Sequence, residues 1–185
     1  KEKIEDFDSQ LNILKSKIAE QEAKLFKPII GCEVYVAKKT RFDRTDKEDR
    51  GNHHLILLAK NKEGYHNLVK LVSYGFTEGF YYKPRIDKEL LRKHSAGLIV
   101  SSACLGGEIP QAIMNGDMAA AEQIALEFKE IFGDDYYLEL MLHKSGDFKI
   151  DEDVYENQLK VNKAIIELSK KTGIKCIATN DVHFV

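Results

Sequence analysis

An excess of charge of either sign is missing from this sequence. Over 185 residues, 28 Lys and Arg stand against 30 Asp and Glu, a formal net charge of -2. With no basic excess, a histone-like or wholly basic nucleic-acid binder is excluded, although a local basic patch is not. Cysteine is scarce: three, well separated, make no disulfide framework and point to a reducing compartment, so a cytoplasmic location is expected. No apolar run approaches the length of a membrane span, and no signal peptide is visible. Internal repeats and low-complexity tracts are also absent. What is present is a hydrophobic fraction of 43%, which argues against disorder, in a length that suits one domain with or without an appendage. The chain starts at Lys1 without an initiator Met and stops just after Asp181 and His183, so it is expected to be a piece of a longer protein.

Residues 1–26 differ in texture from the rest. Ile4, Leu11, Ile18 and Leu25 recur every seven residues, Phe7 and Leu14 fill the second position of the repeat, and Gln21 breaks it. The stretch is rich in Lys and Glu and holds no Gly or Pro, which predicts an amphipathic helix with a coiled-coil-like stripe. Three heptads are short for an independent coiled coil, so a surface helix within a helical insertion is the expectation, packed on this domain, a partner helix or another chain. Residues 27–185 form the second unit. Short apolar runs at Ile29–Ala37, Leu55–Ala59, Leu98–Ser102, Tyr136–Leu142 and Ile174–Thr179 read as strands. Helical spacing or caps mark Glu63–Phe76, a short helix from Asp87 to His94, Glu108–Met114, Asp117–Phe132, and a helix from Asp151 or Asp153 to Thr172 that Gly173 ends. Strands separated by helices predict an α/β fold with a mostly parallel sheet or barrel.

In such folds sites form at the carboxyl ends of the strands. Asp181 and His183 follow the run KCIAT, and a D-x-H pair on extended backbone points both side chains to one side, as a divalent metal requires. Cys104 follows LIVSSA and precedes Gly106 and Gly107; a thiolate suits zinc, and glycines allow close backbone approach, although a free cysteine is more often a small buried hydrophobe. Glu33 interrupts IIGCEVYV, where a carboxylate is costly unless it is paired or binds a metal. His53 and His54 open a strand, and one of them should share the site's face. His143 ends YYLELMLH at a strand-end position. Together these make a mixed N, O and S donor set suited to Zn, Mn or Fe, able to polarise a phosphoryl oxygen and generate hydroxide from water. Tyr81, Tyr82, Lys83 and Arg85 in FYYKPRID make an aromatic-basic cluster of the kind that contacts DNA phosphate and bases, against the plainer reading of packed tyrosines and solvated cations.

The ordered runs GCEVYVA, HHLILLAKNKEGYHNLVKLVS, GFYYKPRID, GLIVSSACLGGEIP, YYLEL and ATNDVHF resemble the PHP (polymerase and histidinol phosphatase) domain of the alpha subunit of bacterial DNA polymerase III, over about residues 27–185. The resemblance implies an incomplete, distorted (β/α)7 barrel with divalent metals, Zn or Mn foremost and Fe or Mg as alternatives. It implies Glu33, His54, Cys104, Asp181 and His183 as metal ligands, with His53 a bystander, and Lys83 or Arg85 steadying phosphate or DNA. The family's first motifs, H-x-H and D-H, have no counterpart here, so the expected ligand set is about half complete. The implied parent activity is DNA-directed DNA synthesis, with this domain a metal-dependent phosphoesterase and plausible 3′-5′ exonuclease. The alternative is a non-catalytic scaffold that stabilises the polymerase and docks a proofreading subunit. Implied partners are DNA, the remaining polymerase domains and other replisome subunits, with no membrane. A free-standing phosphatase is disfavoured by the polymerase-type motifs.

Overall fold

A computed structural model describes residues 2–45 and 47–182, with the side chains of residues 2–6, 48, 148, 150 and 151 left out. In chain order the elements are α1 (Glu2–Lys24), β1 (Gly31–Ala37), β2 (Asn52–Ala59), α2 (Lys62–Thr77), β3 (Arg85–Ile86), α3 (Lys88–Lys93), β4 (Leu98–Ser101), α4 (Glu108–Met114), α5 (Met118–Phe132), β5 (Tyr136–Leu140), α6 (Phe148–Asp153), α7 (Tyr155–Thr172) and β6 (Lys175–Ala178). The helix starts are fixed locally. Asn61, Asp87 and Asp117 each accept a hydrogen bond from the amide three residues on, and each such cap contributes about 1 kcal/mol. Gly173, at φ 70°, ends α7 in the left-handed conformation that glycine adopts without strain.

The six strands form one open sheet in the order β3-β1-β2-β4-β5-β6. It is an α/β sheet that does not close, as an incomplete PHP-type barrel should be. Three of its five pairings are parallel, while β2 runs antiparallel to both β1 and β4. The expectation of a mostly parallel sheet is therefore corrected at β2. The physical reason is that residues 38–51 supply no helical crossover, and a strand that returns without one lies antiparallel. The consequence matters for the site: the beginning of β2, not its end, meets the ends of its neighbours.

Alternation along the strands splits the sheet into two faces. Val34, Val36, Leu55, Leu57, Leu98, Val100, Tyr136 and Leu138 point to one face and join residues of α2, α4, α5 and α7 in a single core. Burying one leucine or phenylalanine of such a core contributes about 1.5–3 kcal/mol. The other face carries Glu33, Tyr35, His54, Ile56, Ser101 and Glu139, residues that the register places side by side.

The strand ends are shorter than the apolar runs suggested, and β3, which the sequence reading omits, is only two residues long. The expected helix from Asp151 or Asp153 is two helices, α6 and α7, broken at Val154. The first helix forms, but its stripe does not pack on this domain: Phe7, Leu14, Ile18 and Leu25 are all more than half exposed.

Two buried arginines organise the loop before β2. Arg41 is paired with Asp87 at 3.0 Å and with Glu78 at 2.7 Å. Arg85, 1% exposed, donates to four backbone carbonyls, those of Gly79, Asp49, Arg41 and Asp43. A buried guanidinium is tolerated only when its donors are satisfied, and here the carbonyls of the loop satisfy them.

Candidate metal centre

The site is built around the His54 ring. Glu33 on β1 and His54 on β2 lie on the same face in a diagonal cross-strand relation, and Glu33 Oε1 is 2.8 Å from His54 Nδ1. Cys104 lies three residues beyond β4. Its Sγ is 3.5 Å from the same His54 nitrogen. With its proton on Nδ1 the ring donates to Glu33; with Nδ1 deprotonated, that nitrogen faces the same point as the Glu33 carboxylate and the Cys104 thiol.

The loop that carries Cys104 is sharply bent. Ala103 has φ 60°, a left-handed conformation that costs a non-glycine residue of order 1 kcal/mol and persists only where its surroundings impose it. His54 donates its backbone N–H to Gly106 O at 3.0 Å, which lays the loop over the imidazole. A Cβ at Gly106 would sit 2.9 Å from His54 Nδ1, and one at Gly107 would sit 2.1 Å from Ser102 O. The two glycines thus serve close approach, as the sequence suggested.

Burial pushes the Cys104 thiol above its ordinary pKa. The Gly106 amide, 3.4 Å from Sγ, opposes that rise, and the charges of Asp181 and Glu33 add to it. Asp181 is therefore close enough to act on the thiol electrostatically. Two carboxylates facing a thiol make a negative environment for it, of the kind a divalent cation relieves.

His143 also reaches this rim. Its Nε2 is 3.3 Å from the Asp181 amide, and Nδ1 is 2.8 Å from Nε2 of the buried Gln158, whose Oε1 accepts from the His143 amide at 2.6 Å. His53 faces the helix side of the sheet. Burial lowers its pKa, the negative charge of Glu108 opposes that, and its Nδ1 has no hydrogen-bond partner.

The structure therefore brings Glu33, His54 and Cys104 into contact and sets Asp181 nearby. The residue types are those of metal donors, but among the described residues no group of three or more His, Cys, Asp and Glu side chains is placed to hold a metal ion. His183 lies outside the described residues. Lys83 is exposed at the rim, its Nζ 4.2 Å from the centre of the Tyr35 ring, which packs edge-on against the His54 ring. The reading of Arg85 as a phosphate or DNA contact is overturned: all three of its nitrogens serve loop carbonyls in the interior.

Sequence reasoning missed Glu139. This residue is 4% exposed on β5 and accepts from Ser101 Oγ, from Thr179 Oγ1 and, at 3.0 Å, from the Ala103 amide. The signal that could have found it is the one that found Glu33, a carboxylate inside an apolar strand run, here YYLELML.

The open α/β sheet carries its helices on one face and Glu33, His54 and Cys104 together on the other. The chain belongs to the PHP domain family, which matches residues 6–143. It is 47% identical over 171 residues to the DNA polymerase III subunit alpha of Chlamydia muridarum, covering 86% of this chain and 14% of that protein. The subunit of the same name from Thermus aquaticus is 47% identical over 161 residues, 86% of this chain and 12% of that protein, and that of Aquifex aeolicus is 42% identical over 170 residues, 89% and 14%. The chain thus spans about one seventh of the length of these relatives. The family match begins inside α1, so most of that helix belongs to the matched region. Among the described residues no helix is long and apolar enough to cross a membrane.

Proposed function

We propose that this chain is the PHP module of the alpha subunit of a bacterial replicative DNA polymerase, acting in DNA replication in the cytoplasm. In this reading Glu33, His54, Cys104 and Asp181, with His183, hold divalent metals, Zn or Mn foremost, for hydrolysis of a phosphodiester at a DNA 3′ end. The observation that carries it is the convergence of a carboxylate from β1 and a thiol from the loop after β4 on Nδ1 of His54 from β2.

A bound divalent metal supplies Lewis-acid polarisation of the phosphoryl oxygen and lowers the pKa of water. The chain's own residues do the rest. Glu33 orients the His54 ring. The loop glycines hold Cys104 against that ring. Lys83, exposed over the Tyr35 ring, meets the phosphate with its ammonium. The polymerase activity itself belongs to other domains, and this chain alone should synthesise no DNA.

The open donor set favours a second reading, in which the module is a scaffold that stabilises the polymerase and docks a proofreading subunit, with metal serving structure only. Metal analysis and an exonuclease assay on the full-length protein separate the two. Loss of metal and of nuclease in Asp181→Asn and His183→Ala supports the enzyme. Loss of metal and stability, with no nuclease in the parent protein either, supports the scaffold. Variants that keep both metal and activity overturn the ligand assignment.

A further inference from the structure

The metal-centre reading leaves Glu139 unused, although its surroundings are unusual. A carboxylate in the interior normally meets a cation or a metal. Glu139 meets three neutral donors instead, and they come from two separate parts of the site. Ser101 Oγ and the Ala103 amide both donate to Oε1, while Thr179 Oγ1 donates to Oε2. The first pair lies at the end of β4, one and three residues before Cys104. Thr179 lies at the end of β6, two residues before Asp181. One rigid carboxylate therefore spans the two segments that deliver the thiol and the second carboxylate.

Other contacts keep this bridge in place. The Glu139 amide donates to Ser102 Oγ at 2.9 Å, and the Ser102 amide donates to Tyr137 O at 3.1 Å, so the backbone of β5 is fastened to the same turn. The Thr179 amide donates to Leu140 O at 3.2 Å, which extends the link between β5 and β6 past the strand end. Ala103 is the residue in the left-handed conformation, and its amide is held by Glu139. Strain at that position needs an external restraint, and the carboxylate is one. Glu139 and Cys104 also line the same cleft.

From this we infer that Glu139 is a positioning residue: its carboxylate fixes the spacing between the Cys104 turn and the Asp181 segment, and so sets the geometry of the donor cluster without belonging to it. The inference rests on the proposed metal centre for its functional meaning, but the bridge itself can be tested without metal.

The test compares Glu139→Ala, Glu139→Gln and the parent in the full-length protein, by peptide-resolved amide hydrogen exchange without metal and by zinc titration. In Glu139→Ala, exchange should rise about tenfold in the peptides covering 101–107 and 179–182 together, with the peptide covering 52–59 unchanged, as expected for local rather than global opening. Zinc affinity should fall about tenfold, the usual consequence of removing a group that orients ligands. Glu139→Gln keeps an amide oxygen for Ala103 and should recover most of both effects. Exchange that rises uniformly through the sheet, or in only one of the two segments, overturns the inference. Coupled loosening of both segments with unchanged zinc affinity overturns its functional part. Coupled loosening in a protein that binds no zinc at all supports the bridge and sinks the metal-centre reading.

Discussion

Glu33 and Glu139 occupy equivalent situations in the sequence and opposite ones in the fold. Each is a carboxylate inside an apolar strand run, and both point to the same face of the sheet. Glu33 retains 28% side-chain exposure and meets an imidazole. Glu139 is buried and meets two hydroxyls and an amide. The difference teaches that a strand carboxylate is costly in two ways, and the remedy tells its role. A group left partly wet beside another donor can trade that donor for a cation. A group held by three neutral donors from two neighbouring segments is committed to holding backbone.

The sharpest way to break this comparison is stability. Glu139→Ala strands two buried donors and one half-buried one, each buried donor costing about 1 kcal/mol, so urea denaturation should show a loss of about 2–3 kcal/mol. Glu33→Ala exposes groups already partly wet and should cost less than about 1 kcal/mol without metal. Equal losses would dissolve the distinction. Next in size is Gly106→Ala, whose Cβ would crowd the His54 ring. It should cost about 1–3 kcal/mol by overpacking and displace the ring, read by calorimetry and by the His54 side-chain nitrogen shifts. The Glu139 hydrogen bonds should survive it.

A smaller effect concerns the thiol. Because Asp181 and Glu33 both raise the Cys104 pKa, Asp181→Asn or Glu33→Gln should lower it and quicken alkylation of that cysteine at pH 8 without metal, read by mass spectrometry. An unchanged rate would place the carboxylates too far away to share an ion with it. The smallest concerns the helix side of the sheet. Burial lowers the pKa of His53 below its ordinary 6.5, so the unfolded chain takes up a proton first as pH falls. Its contribution is absent well above pH 6.5 and becomes a loss of stability below it. His53→Gln should flatten that acid-side decline in urea midpoints between pH 7 and pH 5.

Much of the framework was readable from pattern. Asn61, Asp87 and Asp117 signal their helices because capping is a local interaction, and Gly173 signals an end because only glycine takes that conformation cheaply. Glu33 and Cys104 were readable because an expensive residue in an apolar run and a cysteine before paired glycines are both visible without a fold, whereas the choice of His54 over His53 rested on the family resemblance. The reversal of β2 was not, since direction depends on how the chain returns across space. Arg85 misled for a similar reason. A cation beside two tyrosines looks like a surface patch until the loop at 40–50 folds over it and supplies the carbonyls. Glu139 carried its signal in plain view, but its partners lie 36 to 40 residues away.

The brevity of β3 has a consequence for handling the chain. It pairs with β1 only at Tyr35 and Val36, so among the described residues the outer side of β1 from Gly31 to Val34 keeps its amides and carbonyls unladdered. Beside that margin lies an apolar trough lined by Cys32, Val72, Phe76 and Ile86. Such a margin is a template for another extended segment. Prepared by itself at high concentration, the chain should therefore be prone to strand-to-strand self-association, and Phe76→Lys, at an exposed position of the trough, should raise its solubility limit.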